Sequence, residues 1–143
     1  MADQQPTFHK GIQGDYIPAF YPGENTSGLK VFGKNVLLAV DEFSPTSAGG
    51  IEFLEDYVEK KTAAAETGCI FATGPEAFRQ FDDGSKWSGD KPELGDRVYF
   101  EKYAGLIAKG MDGRTYRIMD YRAIGAGLDK DYVARQQAEA DNG

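Results

Sequence analysis

The chain contains one cysteine, Cys69, and one histidine, His9, in 143 residues. That scarcity argues against a disulfide framework, a zinc site of the usual Cys/His kind and a Cys–His nucleophile pair. Positive charge is also in deficit. With 16 Lys and Arg against 23 Asp and Glu, the formal net charge is −7. Binding nucleic acid or an anionic membrane surface requires clustered cations to displace counterions, and no basic stripe runs through this sequence. Nor is there an apolar run of membrane-spanning length. Residues 1–20 carry Asp3, Lys10 and Asp15 where a signal peptide would be apolar, so the expected location is cytoplasmic, without a membrane or nucleic-acid partner.

What is present suits one domain with tails. A hydrophobic fraction of 41% with eighteen glycines points to a chain rich in strands and loops, without long helices. Residues 1–29 hold Gly, Pro and aromatics without a period. They read as a partly disordered N-terminal extension, in which Tyr16, Ile17, Phe20 and Tyr21 are sticky enough to dock on something. The apolar run Val36 to Val40 is a first strand.

Residues 44–67 (SPTSAGGIEFLEDYVEKKTAAAET) are ambiguous. Ile51, Leu54 and Val58 have helical spacing, whereas Ile51 and Phe53 alternate as in a strand, so the segment reads as functional or mobile. GCIFATG, residues 68–74, is a strand closed by glycines. Residues 76–93 form a hairpin with its turn at Asp82-Asp83-Gly84-Ser85. A Gly95-Asp96 turn precedes a strand over Arg97 to Phe100, two short strands flank Asp112-Gly113, and DYRAIGAGL supplies the last one. Residues 129–143 read as a polar, frayed tail of one or two helical turns. Turn signals about every eight to twelve residues mark an all-β sandwich or small barrel.

Candidate chemistry is sparse. The pairs Asp82/Asp83 and Glu55/Asp56 lack a patterned His, Lys or Ser, and adjacent acids in turns are ordinarily just solvated. The stretches GPEAFR and GLIAKGMDG match neither dinucleotide nor P-loop spacing, which leaves no nucleotide site. Cys69, next to Ile70 and Phe71, reads as a small core or interface hydrophobe rather than a reactive thiol. Trp87 is either a surface anchor or a packing residue of its hairpin.

The order SAGGI, a GxxxATG strand, LGDRVYFEKYAG, MDGRTYRIM and DYRAIGA resembles the GroES co-chaperonins, the ten-kilodalton lid proteins of the chaperonin cage, over roughly residues 31–128. The resemblance implies a small irregular Greek-key β-barrel over 30–128, with a mobile loop at 44–67 and a roof-type hairpin at 76–93. It also implies a homo-oligomeric, heptameric ring. That ring closes by pairing of first and last strands, carried by Val36, Leu37 and Leu38 and by Ala123, Ile124 and Ala126. Binding to a GroEL-type chaperonin ring would run through Gly49, Gly50, Ile51, Glu52, Phe53 and Leu54, and substrate polypeptide would be enclosed in the cage. The protein would be no enzyme and hold no cofactor, with ATP on the partner.

Departures are visible. VFGKNVLL replaces a Pro-Leu-x-Asp-Arg stretch, Phe53 stands where Leu is usual and Glu52 where an apolar residue is common, and both termini are extended. Such divergence fits a viral or otherwise specialised lid matched to one chaperonin, acting in the host cytoplasm if viral. The competing reading is a barrel of the same shape that serves as a structural oligomer or small-ligand module without a chaperonin partner.

Overall fold

A computed structural model describes residues 13–47, 54–79, 84–87 and 89–142. Among the described residues the architecture is all-β, with eight strands in two sheets, two α-helices and one 3-10 turn: β1 (Gln13–Ile17), β2 (Asn35–Val40), β3 (Glu42–Ser47), α1 (Leu54–Ala63), β4 (Thr67–Thr73), β5 (Arg97–Phe100), β6 (Leu106–Lys109), β7 (Thr115–Asp120), the 3-10 turn (Tyr121–Ala123), β8 (Ile124–Gly127) and α2 (Lys130–Asn142). Strands β6-β7-β2-β4-β5-β8 form one sheet, antiparallel at each pairing, while β1 and β3 form a separate antiparallel ribbon. Among the described residues the large sheet is not closed by hydrogen bonds, and β6 and β8 stand at its ends.

The central position of β2 explains its uninterrupted apolar sequence. A strand covered on both faces needs no polar alternation. Val36, Leu38 and Val40 enter a core with Ile70, Val98, Phe100, Met119 and Tyr121. Leu37 and Ala39 face the other way, onto Cys69, Phe71 and Tyr116. That second cluster is completed by Ala19 and Val31, with Tyr21 and Leu29 against it, so the N-terminal segment covers a face the sheet would otherwise expose. Where β4 leaves the sheet, Gly74 is required by close approach: a Cβ there would lie 2.3 Å from the Gly33 carbonyl oxygen.

One buried ion pair ties these parts together. The Arg97 guanidinium grips the Asp41 carboxylate with two bonds of 2.6 and 2.8 Å. The same carboxylate accepts from the Ala19 N–H at 3.0 Å and from the Thr67 hydroxyl, while Arg97 donates to the Ala19 carbonyl at 3.1 Å. The end of β2, the first residues of β4 and β5, and the N-terminal segment are thus joined at one point. Both charges are almost wholly buried. Such a pair persists because the carboxylate is fully hydrogen-bonded and both terminal guanidinium nitrogens have partners, while the Arg97 Nε is left buried without one.

The termini differ from the expectations drawn from sequence. Residues 13–29 are integral to the fold, because their aromatics find partners: Tyr16 stacks edge-on against Phe43 at 5.6 Å and Tyr21 against Phe71 at 5.1 Å. Residues 1–12 lie outside the described residues. The C-terminal tail is a helix of 13 residues rather than one or two turns. It carries three Ala and two Gln, and the Asp129 carboxylate caps it by accepting from the Asp131 N–H at 2.8 Å.

Removing one member of the buried pair leaves the other charge uncompensated. Asp41→Ala should therefore lower the unfolding free energy in urea by about 3–5 kcal/mol, and an apolar double replacement, Asp41→Leu with Arg97→Met, by clearly less.

Candidate functional site

The segment that the sequence leaves undecided, 44–67, has two fixed ends. Its first residues belong to β3, which is held along one edge by β1, with Asp15 opposite Ser44 and Tyr16 opposite Phe43. Pro45 is tolerated because, among the described residues, β3 has a backbone partner on one side only and the register shifts beside it, at Gln13/Gly14. The last residues form α1. Glu55 and Asp56 lie in its first turn and Lys60 and Lys61 in its last, the arrangement the helix dipole favours. Glu55 and Asp56 are exposed, as solvated acids would be.

Strand and helix are joined by specific contacts. The Phe43 N–H donates to the Thr62 hydroxyl at 3.0 Å, and the Phe43 ring meets Tyr57 edge-on at 5.9 Å. The Lys61 ammonium lies 5.6 Å from the Phe43 ring centre. Arg117, buried on β7, donates to the carbonyl of Ala63, the last residue of α1, at 3.0 Å and to that of Ala104. A cation on the final carbonyl pins the helix to the sheet at its negative end. Nothing in the sequence marked Arg117 or the Asp41–Arg97 pair, since a buried charge is visible only once its partner is placed beside it.

A loop spanning the whole of 44–67 is therefore not what these residues form. The chain is ordered strand through Ser47 and helix from Leu54. Leu54, at the start of α1, is half-buried. The other expected contact residues, Gly49, Gly50, Ile51, Glu52 and Phe53, lie outside the described residues. Among the described residues no group of His, Cys, Asp and Glu is placed to hold a metal ion.

The expected subunit contacts divide. Val36, Leu37 and Leu38 are fully buried, and both backbone edges of β2 are occupied, by β4 and by β7. These three residues have no free edge or side-chain surface to offer a neighbour, which corrects that expectation. Ala123, Ile124 and Ala126 differ: β8 pairs with β5 on one side and ends the sheet on the other. Ala126 is exposed, whereas Ala123 and Ile124 lean on the core. The remaining edge, β6, exposes Leu106 and Ile107.

Trp87 is a packing residue. Its ring lies 5.7 Å from Phe78 and 5.9 Å from Tyr121, and its N–H donates to the Asp90 carbonyl. The backbone bond from Trp87 N–H to the Arg79 carbonyl joins the two sides of the hairpin expected at 76–93, whose Asp82 and Asp83 lie outside the described residues.

A model of the "Chaperonin 10 Kd subunit" family matches residues 28–128. The chain belongs to the chaperonin 10 kDa family. It is 37% identical over 91 residues to the co-chaperonin GroES of Bacillus sp. (strain PS3), covering 64% of this chain and 88% of that one. It is 36% identical over 96 residues to GroES of Tetragenococcus halophilus, covering 67% and 94%. Similarity to the chloroplastic 20 kDa chaperonin of Arabidopsis thaliana is 30% over 119 residues, 81% of this chain but 44% of the longer relative. In this family member, no helix among the described residues is long and apolar enough to cross a membrane. Residues 13–27 precede the matched segment.

Cys69 behaves as a core atom. Its thiol is fully buried and donates to the Gly95 carbonyl at 3.4 Å. Burial pushes its pKa from 9.0 up to about 11, against the pull of the nearby Arg97 cation. A folded chain then keeps the proton that an unfolded one releases, so this contribution to stability is complete below pH 9.0 and is lost as pH rises to about 11. Native protein should accordingly resist aromatic disulfide reagents at neutral pH. Its urea midpoint should fall between pH 9 and about 11 by more than that of a Cys69→Ala variant.

Proposed function

We propose that this chain is a non-enzymatic co-chaperonin. It assembles as a heptameric ring, lids a GroEL-type chaperonin and helps enclose substrate polypeptide during a folding cycle whose ATP is bound and hydrolysed by the partner. The observation that carries this reading is family membership combined with the placement of SAGGIEF. The segment 48–53 runs between two anchored ends, β3 finishing at Ser47 and α1 starting at Leu54. Ile51 and Phe53 are the anchors for the partner's apolar groove, with Leu54 beside them and Glu52 between. Ring closure uses the outer edge of β8, with Ala126 on it. A bare strand end is a ready template for another chain, and this reading gives it an occupant.

The magnitudes fit a reversible lid. Burying Ile51, Phe53 and Leu54 is worth about 1.5–3 kcal/mol each. Ordering the backbone between the anchored ends costs about 1–2 kcal/mol per residue, so one arm binds weakly. A ring of arms still caps its partner, because each engagement after the first is intramolecular. A modest change in the partner's grooves is then multiplied around the ring and releases the lid.

Two measurements test the reading. The native mass of the free protein should be that of a ring, and a GroEL-type ring should capture it in the presence of ATP or ADP; a monomer without affinity for the ring would sink the proposal. Ile51→Asp should keep the circular dichroism spectrum and native mass while abolishing capture. If that variant instead fails to fold, Ile51 belongs to the core and the assignment of the arm is wrong.

A further inference from the structure

Strand β3 owes its pairing to a segment that the family match does not include. Matching begins at residue 28, yet among the described residues the only backbone ladder to β3 comes from β1, residues 13–17. The fit there is close. A Cβ on Gly14 would lie 2.2 Å from the Ser44 carbonyl oxygen and 2.7 Å from the Pro45 Cα, so the glycine lets β1 lie flush on the end of the arm. Two residues on, the Tyr16 ring packs against Phe43 and its hydroxyl donates to the Lys61 carbonyl at 2.7 Å. One side chain thus touches both β3 and the last turn of α1. The same segment is moored at its other end. Ala19 offers its N–H to Asp41 and its carbonyl to Arg97, Phe20 lies under the Arg97 guanidinium at 5.8 Å, and Tyr21 packs on Phe71.

We propose that residues 13–21 are a strap that runs from the buried ion pair to the base of the partner-binding arm, stiffens both of its ends, and thereby raises the affinity of each arm for the chaperonin. The inference rests on the co-chaperonin reading. A two-stranded ribbon is marginal by itself, and this one survives because Tyr16 and Phe43 dock it on α1 and Asp41–Arg97 hold its root. Without the strap, β3 has no backbone ladder among the described residues, and α1 keeps contacts through Thr62, Tyr57, Lys61 and Arg117. Binding would then have to order those ends as well as the segment between them; with the strap, that entropy is lost in the free protein and not on association.

The test compares wild type with Gly14→Val, which wedges β1 off β3, with the milder Tyr16→Ala, and with Asp15→Ala, whose exposed side chain lies on the same strand without these contacts. Amide hydrogen exchange of the free protein should quicken by about tenfold or more at 43–47 and 54–63 in the first two variants, while β2, β4 and β7 stay protected. Dissociation from a GroEL-type ring in ADP should quicken by about tenfold in the same two variants and remain at the wild-type rate in Asp15→Ala. Unchanged exchange in both variants would overturn the strap. Faster exchange with unaltered ring dissociation would overturn its role in binding. A wild-type protein that no ring captures would overturn the co-chaperonin reading, while the exchange data still decided whether the strap exists. Should Gly14→Val unfold the sheet, Tyr16→Ala decides by the same readouts.

Discussion

The bidentate contact of Arg97 with Asp41 is the point at which this small protein is fastened. It joins the start of β5 to the residue that follows β2, accepts the Thr67 hydroxyl of β4, and holds both backbone groups of Ala19. Two charges removed from water are tolerable where they pair closely and most of their hydrogen-bonding capacity is filled; the carboxylate here is fully engaged, and only the Arg97 Nε lacks a partner. Satisfying it demands that three strands and the N-terminal segment arrive together. That requirement converts a set of short strands into one cooperative unit, and it gives the strap a fixed root.

From that root the consequences run toward the arm. With Ala19 held, residues 13–17 lie along β3, Tyr16 reaches Lys61, and Arg117 closes on the last carbonyl of α1. On the proposed co-chaperonin reading, ends that are held before binding leave less ordering for the moment of binding. The acids of α1, Glu55, Asp56 and Glu59, lie outward in water. The second face of the large sheet depends on the same N-terminal residues, since Ala19, Tyr21 and Val31 lie over Leu37, Cys69 and Phe71.

Much of the framework was legible because its signals are local. Val36 to Val40 announces a strand covered on both faces, and Asp112-Gly113 announces the turn between β6 and β7. Gly95-Asp96 likewise marks the start of β5, whose boundaries match those read from sequence. Cys69 was readable as a core atom from its apolar neighbours alone. Other features were hidden. Residues 51–58 carry both helical and strand spacings, and the helix that begins at Leu54 is held by contacts with Phe43 and Arg117 that lie far away in sequence. The N-terminal aromatics looked adhesive without showing that their target was the chain itself. The subunit contact assigned to Val36–Leu38 failed because an apolar strand at an interface and one at the centre of a sheet have the same composition; only the ladders to β4 and β7 separate them.

The sequence by itself determined the strand-and-turn order, the family, and the position of the SAGGIEF motif, because each depends on residues adjacent along the chain and on side chains that favour one backbone conformation. Only the tertiary structure decided that Asp41 and Arg97 are buried together, that residues 13–21 belong to the fold, and that β2 is interior while β6 and β8 are edges. These are matters of which distant groups meet, and burial, charge pairing and strand neighbours have no local signature until the chain has closed on itself.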